Sequence, residues 1–309
     1  FSGHYITPAG GSIAKSPNQN FHDTSGNSPL IPYNSRFAKT IRNTMSKAKM
    51  EIPIIYEDDD IIVINKPTGT SVTRDRTGEP ELLDILSRQT NSTFLLVHRI
   101  DKPTSGVMFL AKNTRVQTRF SAYFEKRLIK KTYLTLVTGV VPGPTGTIDA
   151  PIGSSREKFE TMCIDHNKGK DSLTNWRLLA DFGTIALLAV SPVSGRTHQI
   201  RVHLPSVGLP LTIDPLYGSS RPLLLSEYKG SYRLGKNQTE KPLIERLTLH
   251  AYQIELMEPE PNKPACFIAG LDKKFAAAIK MLAKHNPNGL ASFVHPEDFT
   301  RILNAQRLP

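Results

Sequence analysis

The stretch LLVHRIDKPTSGVMFLAKN, residues 95–113, sets two apolar runs around a polar centre made of His98, Arg99, Asp101 and Lys102. A strand packed on a core does not ordinarily interrupt itself with four charged or titratable residues out of five. The flanking runs place the segment near the core, where a carboxylate must be paired or neutralised. Asp101 therefore calls for a partner cation. The sequence supplies a second island of the same kind, SPVSGRTHQIRVHL at 191–204, where Arg196 and Arg201 flank His198 after another apolar strand. Ser194 and Gly195 let the chain bend sharply just before Arg196. Two charged islands, each following a buried strand, point to one shared cleft.

Working outward, IPIIYEDDDIIVINKP (52–67) reads as a hairpin: two β-branched runs joined by the acidic turn Glu57 to Asp60. EPELLDILSRQ (79–89) predicts a short helix with Leu82, Leu83 and Leu86 on one face. TRVQTRFSAYFEKR (114–127) predicts another, with Val116, Phe120 and Phe124 at helical spacing. Strands are predicted at VMFLAKN, KTYLTLVTGVV, EKFETMCI, LTNWRLL, TIALLAV, LTLHAYQIELM and ACFIAGL. Asp272 is placed to cap a helix carrying Phe275, Ile279 and Leu282, and a second short helix is expected to begin near His295. Strands come in runs with few crossover helices, so the expected class is α+β, with a mixed and mostly antiparallel sheet, flanking helices and a central cleft. The domain expectation is a basic low-complexity extension over 1–50, a catalytic domain over 51–270 and a helical C-terminal tail over 271–309.

The chain of 309 residues carries 39 Lys plus Arg against 28 Asp plus Glu, a net charge of +11. That balance favours a polyanionic partner, most commonly nucleic acid. Two cysteines, Cys163 and Cys266, without a Cys-x-x-Cys, exclude a disulfide framework and a cysteine zinc site. His198 and His203 are spaced wrongly for one helical face and no His-Glu-x-x-His occurs, so no metal is expected. No apolar run approaches the ~18 residues of a membrane span. Residues 1–50 are rich in Ser, Gly, Asn and Pro. Lys15, Arg36, Lys39, Arg42, Lys47 and Lys49 against Asp23 give that segment a net +5. A Ser-rich, basic, acid-poor start suggests a mitochondrial or other organellar leader, the alternative being an ordinary basic tail of a cytoplasmic protein.

HRIDKPTSGVMFLAK resembles the signature of the RluA-type pseudouridine synthases, His-Arg-Leu-Asp-x-x-Thr-Ser-Gly followed by an apolar strand and Ala-Lys. IIYEDDDIIVINKPTGTSV is similar to the family's opening segment, KTYLTLVTG to its Lys-x-Tyr strand, GRTHQIRVHL to its third motif and LHAYQIEL to its closing strand. The five motifs occur in family order from Ile54 to Leu256, about two thirds of the chain. The resemblance implies a pseudouridine synthase-like fold and an RNA substrate, ribosomal or transfer RNA. It puts Asp101 in the place of the catalytic aspartate, Tyr133 in that of the tyrosine packing on the target base, and Arg196 in that of the basic partner of the aspartate. It further implies RNA or base contacts from His98, Arg99, Lys102, Thr104, His198, Ile200 and Arg201. Two residues depart from the family pattern: Ile213, where the family usually has Gly before the Asp in a loop near the expected cleft, and Ser172, where Ala is common.

Converting uridine to pseudouridine breaks a ribose–nitrogen bond and makes a ribose–carbon bond within one nucleotide. No redox change or external group is involved, so no cofactor is implied. The carboxylate either attacks the ribose or removes a ribose proton, and both roles need it ionised, a state that an adjacent guanidinium favours. The base must leave the stack to be reached. An alternative reading keeps the fold as an RNA-binding assembly factor, docked on a maturing ribosomal subunit without essential catalysis. A hydrolase using Asp101 and His98 is disfavoured because no serine or cysteine nucleophile motif is present. A monomer is expected.

Overall fold

The computed structural model describes residues 51–73, 81–156, 158, 160–235, 238–259 and 263–309, all within one unit, Lys49–Pro309. The expected basic extension and leader over 1–50 lie outside the described residues.

The hairpin forms as expected: β1 (Ile54–Glu57) pairs antiparallel with β2 (Ile61–Lys66). Its acidic turn is held by Asp58, whose Oδ1 accepts the N–H groups of Asp60 and Ile61 at 2.8 Å each. Helix α1 (Leu82–Thr90) buries Leu82 and Leu86. After β3 (Leu95–Leu96) comes the deeply buried β4 (Ser105–Ala111). Helix α2 (Thr114–Glu125) is capped by Asn113, which accepts the Val116 N–H at 3.0 Å, and it buries Val116 and Phe120. Strands β5 (Ile129–Thr138), β6 (Thr145–Asp149), β7 (Ile152–Ser154), β8 (Met162–Ile164), β9 (Leu173–Asp181) and β10 (Ile185–Pro192) follow. Helix α3 (Gln199–Ser206) comes next, then β11 (Leu249–Leu256) and β12 (Cys266–Ile268). Helix α4 (Lys273–His285) starts at Asp272, which accepts the N–H groups of Lys274 and Phe275, and α5 (Glu297–Leu303) ends the run.

Ten strands make one sheet whose main path runs β1-β2-β4-β11-β5-β10-β9-β6, with β3 beside β4 and β12 beside β11. The pairings are antiparallel except β4 with β11. This is the mixed, mostly antiparallel sheet with flanking helices that the strand runs predicted. The parallel contact requires Gly106: a Cβ there, at φ +119°, would lie 2.0 Å from the Ala251 carbonyl oxygen. The glycine of PTSG thus serves close strand approach, while the turn before it is closed by the Thr104 N–H donating to the Asp101 carbonyl at 3.0 Å.

Alternation along β5 and β10 divides the core. Leu134, Leu136, Leu187 and Ala189 face α4, meeting Phe275, Ile279, Leu282 and, from α5, Ile302. The segment expected as a helical tail therefore shares its core with the sheet. Val137, Ala186, Leu188 and Val190 face the other way, against Ile200 and Leu204 of α3. That second face, between α3 and the β3–β4 turn, is where the cleft opens. Among the described residues, no helix is long and apolar enough to cross a membrane.

Candidate active site

Asp101 occupies the turn between β3 and β4, and a buried lysine fixes that turn. Lys66, the last residue of β2, is fully buried and directs Nζ at the carbonyl oxygens of Pro67, Thr70 and Lys102, at 3.0, 3.0 and 3.1 Å. Three acceptors match the three N–H donors of an ammonium. Burial draws the Lys66 pKa down to about 7, against the opposing pull of the Asp101 charge. Gly69 N–H donates to the Lys102 carbonyl (2.9 Å) and the Thr68 hydroxyl to the Pro103 carbonyl (2.7 Å). The loop after β2 and the Asp101 turn are thereby zipped together.

The cation that meets Asp101 comes from α3. Arg201 Nη1 donates to Asp101 Oδ2 at 3.3 Å, while Nε and Nη2 make a bidentate pair with Asp214 at 2.8 Å each. Arg201 is 3% exposed and Asp214 1%. Burial works against the guanidinium charge, but hydrogen bonding and charge from Asp214, then from Asp101, outweigh it and raise the Arg201 pKa. The expected pairing of Arg196 with Asp101 is overturned. Arg196 stands exposed on the turn before α3, its Nε donating to the Asp171 carbonyl at 3.3 Å. It precedes the helix, whereas Arg201 lies within it and is carried between the two carboxylates. The turn itself is locked by Gln199, whose Oε1 accepts from the Ser194 hydroxyl (2.8 Å) and the Arg196 N–H (3.0 Å).

His198, at φ +55°, is the second group beside the carboxylate, with Nε2 3.8 Å from Asp101 Oδ2. Its Nδ1 lies 2.6 Å from the Tyr217 hydroxyl, which also accepts the Met162 N–H at 2.8 Å. Every group is satisfied when Tyr217 donates its proton to Nδ1, which places the imidazole hydrogen on Nε2, facing Asp101. Burial lowers the His198 pKa more than the Asp101 charge restores it, so the ring is neutral. Tyr217 also lies under the Arg201 guanidinium, 5.1 Å from its centroid, so it braces both neighbours of Asp101. Among the described residues, these contacts all converge on Oδ2 of Asp101, and Oδ1 carries none.

The carboxylate opens into a cavity of about 530 Å³, a size typical of ligand sites. Tyr133, Ile100, Ile200, Phe124 and Leu249 give it apolar walls. Burial and then the Asp101 charge push the Tyr133 hydroxyl upward in pKa, so the ring stays neutral. Thr104 is buried at the wall, and its hydroxyl has no hydrogen-bond partner among the described residues. His98 lines the cavity but spends Nε2 on the Phe109 N–H (3.0 Å) and stacks its ring on Phe124 at 4.2 Å. Burial draws its pKa down to about 3. Arg99 is exposed at the wall. Lys102 is not part of the wall; its carbonyl holds Lys66 instead. His203 and His250 are structural. His203 donates to the Ala150 carbonyl and accepts from Thr174, and His250 donates to the Ala269 carbonyl and accepts from Ser105. Ile213 is fully buried without positive φ, so this departure leaves Asp214 in place beside Arg201.

Lys66, Gln199, Asp214 and Tyr217 belong to the site and were not singled out from sequence, and Lys131 was marked only as the first residue of the Lys-x-Tyr strand. The signal for Lys66 was a lysine closing a strand that opens with the apolar run Ile61–Ile64. For Asp214 it was an acidic residue shortly after the second cationic island.

Residues 60–206 match the family model described as RNA pseudouridylate synthase. The chain is 35% identical over 274 residues to the ribosomal large subunit pseudouridine synthase C of Buchnera aphidicola, covering 86% of this chain and 82% of that protein. It is 33% identical over 250 residues to the ribosomal large subunit pseudouridine synthase D of Nitrosomonas europaea, covering 78% and 68%. Among solved structures, human RNA pseudouridylate synthase domain containing 4 aligns with a TM-score of 0.54 at 26% identity, covering 74% of this chain and 92% of that one. Human RNA pseudouridylate synthase domain containing 1 shares the fold with the same TM-score at 24% identity, covering 78% and 99%.

Proposed function

The chain belongs to the RluA-type pseudouridine synthase family, and on that premise we propose that it isomerises uridine in large-subunit ribosomal RNA with Asp101 as the catalytic carboxylate. As a pseudouridine synthase it is an intramolecular isomerase. The substrate assignment draws on relatives named for the ribosomal large subunit.

The observation that carries the catalytic role is the lopsided environment of Asp101. Oδ2 is tethered by Arg201 and faced by His198, while Oδ1 makes no contact among the described residues, and Asp101 lines a cavity of about 530 Å³. A carboxylate anchored through one oxygen and without a partner at the other is poised to attack the ribose or to take a ribose proton. Arg201 cannot drift toward the substrate because Asp214 holds its other two donors. The Tyr133 ring and Ile200 provide an apolar surface on which a detached uracil can turn without entering water. A target inside a helix reaches this cavity only by flipping out.

Pseudouridine mapping of ribosomal RNA from cells with and without the protein tests the assignment. The expected result is loss of one or more large-subunit sites. Loss confined to transfer RNA would move the substrate class, and an unchanged map would reject the reading.

A further inference from the structure

Five cationic side chains line the cavity, Arg99, Arg127, Lys131, Arg196 and Arg201, against two carboxylates, Asp101 and Glu125. Arg201 is taken up by Asp101 and Asp214. The other four pair with no carboxylate among the described residues. Lys131 is the least solvated of them. It is half-buried on β5, and its amine makes one hydrogen bond, to the Ser194 carbonyl at 3.1 Å. An ammonium has three donors, so two are left without a partner among the described residues. The turn carrying Gly195 passes close to this amine: a Cβ there would sit 3.8 Å from Nζ, an ordinary contact. A desolvated cation without a counter-ion is costly in an unliganded fold. The cost is offset when an anion binds.

We propose that Lys131, with Arg127 and Arg196, forms a phosphate subsite that holds a backbone phosphate of the target nucleotide while Tyr133 packs on its base. The inference rests on the RNA reading above and adds to it a named binding group. Lys131 and Tyr133 are two residues apart on β5, so they share a face of the strand and stand roughly 7 Å apart along it. A nucleotide covers such a span from its base to its phosphate. Asp101 acts on the sugar between them. Burial, with the Arg127 charge adding to it, lowers the Lys131 pKa to about 8. A bound phosphate reverses that shift by supplying the missing counter-charge. The charged and titratable groups around the amine are Arg127 and Glu125 from the end of α2, His98 from the loop after β3, and Arg196 from the turn before α3. Burial keeps His98 neutral.

The test uses the full chain carrying Asp101→Asn, so that RNA is bound without turnover, and an unmodified transcript of large-subunit ribosomal RNA. Affinity is measured across salt concentrations in this parent and with Lys131→Met or Lys131→Arg added. Lys131→Met should weaken binding about tenfold and flatten the log–log salt slope by about one contact, ~0.7 to 0.9. Lys131→Arg should keep the slope. Parent affinity should fall as pH rises through about 8, and the Lys131→Arg protein should not follow. The Tm of Lys131→Met should not drop, since an uncompensated cation has been removed. Unchanged affinity and slope in Lys131→Met, with a lowered Tm, would make Lys131 a strut for the Ser194 turn and overturn the subsite alone. A parent that binds no transcript would overturn both the subsite and the RNA reading.

Discussion

The two ends of the cleft are built on opposite principles. At the Asp101 end the buried charges answer one another: Arg201 spans Asp101 and Asp214, and His198 and Tyr217 close the network from the side. At the Lys131 end the cations outnumber their partners, and Arg127, Lys131 and Arg196 make no ion pair among the described residues. The first end is preorganised, so its geometry exists before substrate arrives. The second is unfinished, so its electrostatics are completed by what binds. Chemistry and affinity are thus separable, and substitutions at the two ends should split into kcat effects and binding effects.

The largest expected effect comes from breaking the preorganised end at its centre. Arg201→Met leaves Asp214 buried without its cation, with only the Leu216 and Tyr217 N–H groups donating to it, and loss of one member of such a pair costs ~3–5 kcal/mol of stability. It also releases Asp101, and misplacing a catalytic group by an ångström costs roughly 10²-fold in rate. Arg201→Lys, which keeps the charge, should fold better and still be slow. The same Met substitution at exposed Arg196 should change stability by no more than about 0.5 kcal/mol. Equal damage at the two arginines, measured by thermal unfolding and single-turnover rates, would erase the distinction between them.

A smaller effect is expected at Tyr217. Tyr217→Phe keeps the ring under Arg201 but removes the proton that sets the His198 tautomer. The loss of one such hydrogen bond, ~1–1.5 kcal/mol, corresponds to about tenfold in kcat. KM should hold, because Tyr217 is a positioning residue that acts through His198 and Arg201. A raised KM with normal kcat would move Tyr217 from the preorganised end to the binding surface.

Much of this was legible in the sequence because it rests on local pattern. The acidic hairpin, the Asp272 cap and the β-branched strands appear where periodicity and capping chemistry put them. The interrupted apolar run at 95–113 marked Asp101 before any contact was known. What was not legible depended on orientation. Helix α3 buries six consecutive residues, Gln199 to Leu204, so it shows no polar face to read, and Pro205 inside it argues against a helix. Without that helix, Arg196 and Arg201 are equivalent candidates for Asp101, and the nearer arginine in the motif was the wrong one. The short polar strands β6 and β7 carry too few apolar residues to register. Lys66 and Tyr217 act through a carbonyl cage and a hydroxyl network, which are tertiary arrangements with no sequence period.

The central claim is that Asp101 performs the isomerisation while the rest of the cleft holds the RNA. Asp101→Asn is the most direct test, because the amide is nearly isosteric yet can neither attack the ribose nor take its proton. Wild type and variant are incubated with the same large-subunit transcript, scoring pseudouridine by chemical mapping and RNA affinity by titration. The variant should give no product above background, with binding free energy changed by no more than about 0.5 kcal/mol. Turnover near the wild-type rate would contradict the central claim.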